Sequence, residues 1–146
     1  MTTIAIKQPS SRVNYRRLWW VGILAAGLAV LLNVVLFWVG GLIGAFPTTY
    51  IIPQSGTPLP VQAVIMASLI GVIGGVVTFA LLGLFTKHPA RIYAIVGIIV
   101  LVLSFVTPFT LPDPPMLMFV FLQLMHIVAA AVAIWVPIRF AVAPPA

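Results

Sequence analysis

Four long apolar runs divide this 146-residue chain, and all seven lysines and arginines lie on one side of them. Lys7, Arg12, Arg16 and Arg17 precede the first run, Lys87 and Arg91 fall between the second and third, and Arg139 follows the fourth. The single acid, Asp113, lies between the third and fourth runs. Threaded alternately through a bilayer, the runs bring every cation to one face and Asp113 to the other. Lys and Arg concentrate in cytoplasmic segments, so the cationic face is expected to be the cytoplasmic one.

Hydrophobic residues make up 63% of the chain and charged residues 5%. Soluble domains carry about 25% charged residues, so this chain lacks a surface suited to water and most of it requires lipid as its solvent. The net charge of +6 does not point to nucleic acid, because the cations flank apolar runs and form no groove or motif. Arg16, Arg17, Lys87, Arg91 and Arg139 instead suit anionic headgroups and set the topology. With no cysteine, disulfides, thiolate metal sites and iron–sulfur clusters are excluded. The run from Leu18 to Gly44 is far longer than the roughly 7–15 residues of a signal-peptide core, and it is read as a retained helix.

The expected architecture is all-α: a polytopic antiparallel bundle of four transmembrane helices, with spans at about 17–44, 61–85, 90–107 and 116–139. Residues 1–15 form a polar interfacial N-terminus, and 141–146 a short tail. Residues 45–60 form an external loop, where Pro47, Pro53, Pro58 and Pro60 forbid a regular helix. That loop is too apolar to float free, and it is expected to lie on the outer surface, cap the bundle or meet a partner. Pro89 suits the first turn of the third span. An even number of spans places both termini on the cytoplasmic side of what is expected to be a bacterial inner membrane.

Helices in lipid gain nothing hydrophobic by meeting; they associate through small residues and interhelical hydrogen bonds. Gly40 and Gly44 in the first span, Ala67, Gly71 and Gly75 in the second, and Ala130 and Ala133 in the fourth are the expected packing positions. Four polar residues at membrane depth stand out: Asn33, Ser104, Gln123 and His126. Gln123 and His126 are i, i+3 partners on one helix face, and a polar layer inside the bundle would gather all four.

His126 is open to three readings. It could hydrogen-bond to Asn33, Gln123 or Ser104 and fix helix register. It could be an axial ligand to haem iron or chlorophyll magnesium, although no second deep histidine exists to complete a two-histidine haem site. It could relay protons, which the lack of any carboxylate within the spans disfavours. Paired carboxylates, a Ser–His–Asp set, a Walker loop and a metal-ligand cluster are all missing from the sequence.

Arg17-Leu18-Trp19-Trp20-Val21-Gly22 opens the first span, with Asn33 inside it; the proline-rich loop, Arg91, and Met125-His126-Ile127-Val128-Ala129-Ala130-Ala131 follow. In these features the chain resembles an uncharacterised bacterial family of small four-span membrane proteins, a domain of unknown function. The likeness covers about residues 16–137. It implies a four-helix fold with both termini cytoplasmic and an inner layer shared by Asn33 and His126, and it implies no activity.

The functional expectation is a small non-enzymatic integral membrane protein, an accessory or structural subunit. It would pack against lipids and other membrane-protein subunits or form a homo-oligomer. The alternatives are a subunit holding haem or chlorophyll through His126 in an electron-transfer or light-harvesting complex, and a transporter of a small molecule or lipid.

Overall fold

Lipid offers the backbone no hydrogen-bond partners, so a segment that crosses a bilayer must satisfy its own amides, and an α-helix does so. The computed structural model of the protein describes residues 12–143; Lys7, the rest of the polar stretch before Arg12, and the tail Pro144-Pro145-Ala146 lie outside the described residues. Its helices are α1 (Tyr15–Leu42), α2 (Val61–Phe85), α3 (Pro89–Ser104), α4 (Val106–Phe109) and α5 (Met116–Phe140). With α3 and α4 taken together as Pro89–Phe109, four helical segments among the described residues are long and apolar enough to cross a membrane. The protein is an all-α, four-span membrane bundle.

The first crossing stops short of Gly44 for a definable reason. Gly44 takes a left-handed conformation (φ 78°), Ala45 N–H donates to Gly40 O at 2.7 Å, and Gly44 N–H donates to Gly41 O at 3.1 Å. This is the Schellman pattern, which satisfies the last carbonyls of a helix and turns the chain away. Gly44 thus ends α1 rather than packing it. Gly40 does pack: a Cβ built there would sit 2.6 Å from the Phe46 ring and 2.8 Å from the Phe121 ring.

The third crossing is broken rather than continuous. Pro108 has no N–H to give the Ser104 carbonyl, and its ring crowds that carbonyl. The helix yields at Phe105, whose N–H is shared at 3.3 Å between Leu101 O and Val102 O, and it resumes as α4. Two polar side chains secure the break. Ser104 Oγ donates to Leu101 O at 2.7 Å, and Gln123 Nε2, reaching from α5, donates to Phe105 O at 3.1 Å.

Helix α1 lies against both α2 and α5, while α3 is the most loosely held of the long helices. The α1 seam follows four-residue steps through Val21, Ala25, Ala29 and Asn33, all buried. Val72, Phe79, Val132 and Val136 complete the core. Outward faces carry large apolar side chains, Ile23, Leu31, Ile70 and Leu103 among them, as a lipid-facing surface requires.

Both ends of the described chain meet at one end of the bundle. Strand β1 (Arg12–Val13) pairs antiparallel with β2 (Val142–Ala143), in register Arg12↔Ala143 and Val13↔Val142. Asn14 N–H extends the pairing to Ala141 O at 2.7 Å. Val13 and Tyr15 close over Gly83, where a Cβ would fall 2.5 Å from a Val13 methyl, and Tyr15 Oη donates to Ala80 O at 3.0 Å. The cations Arg12, Arg16, Arg17, Lys87, Arg91 and Arg139 are exposed at this end, and Asp113 lies in the turn at the other. Trp20 and Trp135 both pack on Phe140 here, at 6.1 Å and 5.9 Å between ring centroids.

At the opposite end the proline-rich loop caps the bundle. Ala45 is fully buried, Phe46 stacks on Phe37 at 5.0 Å, and Tyr50 Oη donates to Pro112 O at 2.8 Å, tying the loop to the turn before α5.

Candidate functional site

Helices α2, α3 and α5 touch at the cationic end and part toward the other. At the cationic side, the Tyr93 ring packs tilted against Phe79, with centroids 4.9 Å apart, and donates its hydroxyl to Ala133 O at 2.7 Å. A Cβ on Gly97 would meet the Ile134 side chain at 2.6 Å, and one on Gly75 would meet the Tyr93 hydroxyl at 2.8 Å. Beyond this floor the helices diverge around a cavity of ≈ 830 Å³. Its walls are Val64, Ser68 and Gly71 on α2, Val96, Val100 and Leu101 on α3, and Met118, Leu122 and Met125 on α5. Ile52, Gln54 and Leu59 from the capping loop border its far end.

The cavity also has a side opening. Ala67, Ile70, Gly71 and Gly74 on α2, and Val100 and Thr107 on the facing α3–α4 crossing, both line the cavity and are exposed. They form rims on the outer surface of two neighbouring transmembrane helices, where lipid would lie.

Three of the four polar residues expected to form an inner layer border this one cavity: Asn33, Ser104 and His126. They do not hydrogen-bond to one another. Asn33 is 3% exposed, and its Nδ2 donates to Ser68 Oγ at 2.9 Å; Ser68 Oγ in turn donates to Val64 O at 2.8 Å. His126 Nδ1 lies 2.7 Å from Leu122 O. Carbonyl oxygen only accepts, so Nδ1 carries a proton, and in the neutral ring Nε2 is then the acceptor. The register bonds to Asn33, Gln123 or Ser104 that the sequence allowed for His126 are replaced by this one to its own helix. Gln123 is not on the cavity wall; it serves the α3 break. Counted at about 1.5 Å per residue, Asn33, nine residues before Leu42, and His126, ten residues after Met116, lie at about the same depth below the capped end.

The small residues fall into two groups that their spacing did not separate. Gly75 and Ala133 are contact positions on the floor. Gly71, with nothing within 4 Å of a built Cβ, lies with Ala67 and Ala130 on the cavity wall. Ser68 and Tyr93 are the wall residues that sequence reasoning passed over. The available signal for Ser68 was that it and Thr78 are the only hydroxyl residues in α2, with Ser68 in the half that faces Asn33. Thr78 Oγ1 donates to Gly74 O at 2.8 Å, on its own helix. Arg16, Arg17, Lys87, Arg91 and Arg139 stand apart from the cavity, at the closed cationic end. Among the described residues no group of three or more His, Asp, Glu or Cys side chains could hold a metal ion.

A model described as a family of unknown function, DUF6069, matches residues 13–142. That stretch contains all five helices. No curated protein and no solved structure matches the chain.

Proposed function

The chain belongs to the family of unknown function DUF6069, and we propose that it is a non-enzymatic accessory membrane subunit that holds a small apolar molecule within the bilayer. The observation that carries this reading is the cavity of ≈ 830 Å³ between α2, α3 and α5. Its volume falls within the roughly 300–1,000 Å³ of small-molecule sites, and a mainly apolar wall with few polar groups is the usual composition of such sites. The rims on α2 and α3 supply a route for an apolar molecule to enter sideways from lipid without crossing water. The Tyr93–Ala133 floor supports holding over transport, because it closes the path toward the cationic end. The polar side chains at the helix-lined wall support a role without catalysis: Ser68, Thr78, Tyr93, Ser104 and His126 each donate to a backbone carbonyl, Asn33 donates to Ser68, and no nucleophile–base pair forms among them.

In this proposal the cationic end faces the cytoplasm of a bacterial cell, and Arg16, Arg17, Lys87, Arg91 and Arg139 contact anionic headgroups. Other membrane subunits or further copies of the chain pack against the remaining apolar faces. The test is native mass spectrometry of the protein taken from its own membranes in mild detergent. The wild type is expected to carry a small apolar adduct that Gly71→Leu, which fills the cavity, expels. A wild type free of adducts, matched by the variant, would overturn the reading.

One observation favours a second reading. A histidine whose Nδ1–H is held by a backbone carbonyl presents Nε2 as a metal ligand in a fixed orientation, and His126 has that bond beside a cavity. A single-histidine haem or chlorophyll site is the corresponding proposal. An absorption spectrum decides it: a Soret band abolished by His126→Ala supports it, and the lack of such a band removes it.

A further inference from the structure

The cavity opens sideways over only half of the bundle's height. On α2 its exposed lining runs no deeper than Gly74, near the middle of Val61–Phe85. On the facing crossing it runs no deeper than Val100, near the middle of Pro89–Phe109. Toward the cationic end the lining continues through Thr78 and Gly97, which are partly covered, to Tyr93, which is buried. The opening therefore faces the leaflet on the capped side. Its depth fits that leaflet. Gly97 and Thr107 are ten residues apart on the third crossing, about 15 Å along a helix, and half of a hydrocarbon core of ~30 Å is the same length.

The two ends of this space differ in chemistry. At the deep end the hydroxyls are spent on the protein: Tyr93 donates to Ala133 O and Thr78 to Gly74 O. At the mouth, Gln54 and Thr107 are exposed lining residues whose side chains donate to no other described residue. Trp38, 61% exposed and four residues before the capped end of α1, marks the headgroup level on that side, where indoles concentrate. No lining residue is charged, so a charged group gains no partner here, whereas an ester carbonyl gains a donor. A wholly apolar molecule would leave both mouth donors to water. Resting on the proposal that the cavity holds a ligand, we infer that this ligand is an acyl chain of an ester lipid drawn from the capped-side leaflet. The chain enters sideways between α2 and the third crossing. Its ester oxygens stop at Gln54 and Thr107, its methylenes lie along Val96, Leu101 and Met125, and its methyl end reaches the Tyr93 floor.

The experiment uses two phosphatidylcholine probes that differ only in where one acyl chain carries a photoreactive diazirine, beside the ester or at the methyl end. Each is mixed into phosphatidylcholine vesicles holding the full chain, and labelled residues are mapped by peptide mass spectrometry after illumination. The methyl-end probe is expected to label Met125, which is 5% exposed and lines the cavity, and the ester-end probe to label Gln54 and Thr107. Leu31, exposed on the outer face of α1, reports ordinary lipid contact. Gly71→Leu and Ala130→Leu each place bulk on the wall and are expected to cut labelling of Met125 at least about five-fold, the lower end of overpacking costs. Labelling of Leu31 should not change, which shows that the bundle is still inserted. Exchange of the two labelling patterns, with the ester end at Met125, would overturn the inference. Labelling of Leu31 without Met125 would overturn it too. In either case an adduct that native mass spectrometry detects on wild type and that Gly71→Leu expels leaves the cavity reading standing, and its absence removes both.

Discussion

Asn33 on α1 and Ser68 on α2 are joined by a 2.9 Å hydrogen bond, from amide Nδ2 to hydroxyl Oγ, across 35 positions of sequence. Among the described residues it is the side-chain-to-side-chain hydrogen bond that links two helices. Donation runs in one direction, from the amide into the hydroxyl and from the hydroxyl into Val64 O at 2.8 Å. Ser68 is therefore satisfied as donor and acceptor, whereas Asn33 retains an unmet Oδ1. The asymmetry makes the two partners unequal when either is removed.

Ser68→Ala strips the partner from a buried amide and leaves both ends of Asn33 unmet. Asn33→Leu removes the amide altogether, and Ser68 keeps its own bond to Val64 O. The first is expected to destabilise the bundle by about 1–2 kcal/mol, within the range for an orphaned buried polar group. The second should cost less than about 1 kcal/mol, because interhelical hydrogen bonds in membranes average about 0.6 kcal/mol. Equilibrium unfolding in mixed micelles measures both, and a larger loss for Asn33→Leu would contradict the assigned direction of donation.

Gly71 and Gly75 lie one turn apart on α2, yet a methyl group should act oppositely at the two. At Gly75 it would sit 2.8 Å from the Tyr93 hydroxyl, forcing that ring off Ala133 O. Overpacking of this kind costs about 1–3 kcal/mol, so Gly75→Ala is expected to lower Tm in detergent. At Gly71 the methyl meets nothing within 4 Å, and replacing glycine in a helix favours the helix by up to about 1 kcal/mol. Gly71→Ala is expected to leave Tm unchanged or raise it. Equal losses at both positions would mean that α3 packs closer to α2 than the cavity allows.

These two glycines also mark where sequence reading ends. Four-residue spacing places Ala67, Gly71 and Gly75 on one helix face, but a face is a direction and carries no distance to the neighbour. Whether it meets a helix or a cavity depends on the tilt of α3, which no local pattern encodes. The four crossings were legible because length and apolarity alone dictate them, and the clustering of cations at one end follows from their count and order. Asn33 was legible because an amide in lipid demands an explanation. Its partner was not, since a serine among glycines and alanines carries little signal until helix rotation is known. Pro108 could be read as the end of a span. That the chain would resume as α4, with Ser104 and Gln123 diverted to secure the break, depends on a contact between two helices.

Gln123 gives the third prediction. Its Nε2 holds Phe105 O at the break in the third crossing, and its buried Oε1 is unpaired. Gln123→Met keeps much of the side-chain volume and removes the staple, so the segment around Phe105 should open more readily. Hydrogen exchange in detergent is expected to speed up at the amides of Phe105, Val106 and Thr107, with little change in α1. The global stability loss should stay near 1 kcal/mol, the net worth of one hydrogen bond. Uniform acceleration across all helices would show instead that Gln123 supports the whole bundle.

Orientation is testable without background, because the chain contains no cysteine. Single cysteines at Ser55 and Thr110 sample the capped end, and one at Lys87 samples the cationic end; all three native side chains are exposed. The β1–β2 pairing holds both ends of the described chain beside Lys87's end of the bundle, so two surfaces suffice to describe the topology. Cytoplasmic segments are enriched in Lys and Arg, so in the proposed orientation Lys87 lies inside and Ser55 and Thr110 outside. In intact cells a membrane-impermeant maleimide is expected to label Ser55→Cys and Thr110→Cys, and to reach Lys87→Cys only after the membrane is opened. The reverse pattern would invert the orientation and leave the fold intact. Labelling of Ser55→Cys but not Thr110→Cys would be more serious, because two crossings separate those positions and only an odd number could part them.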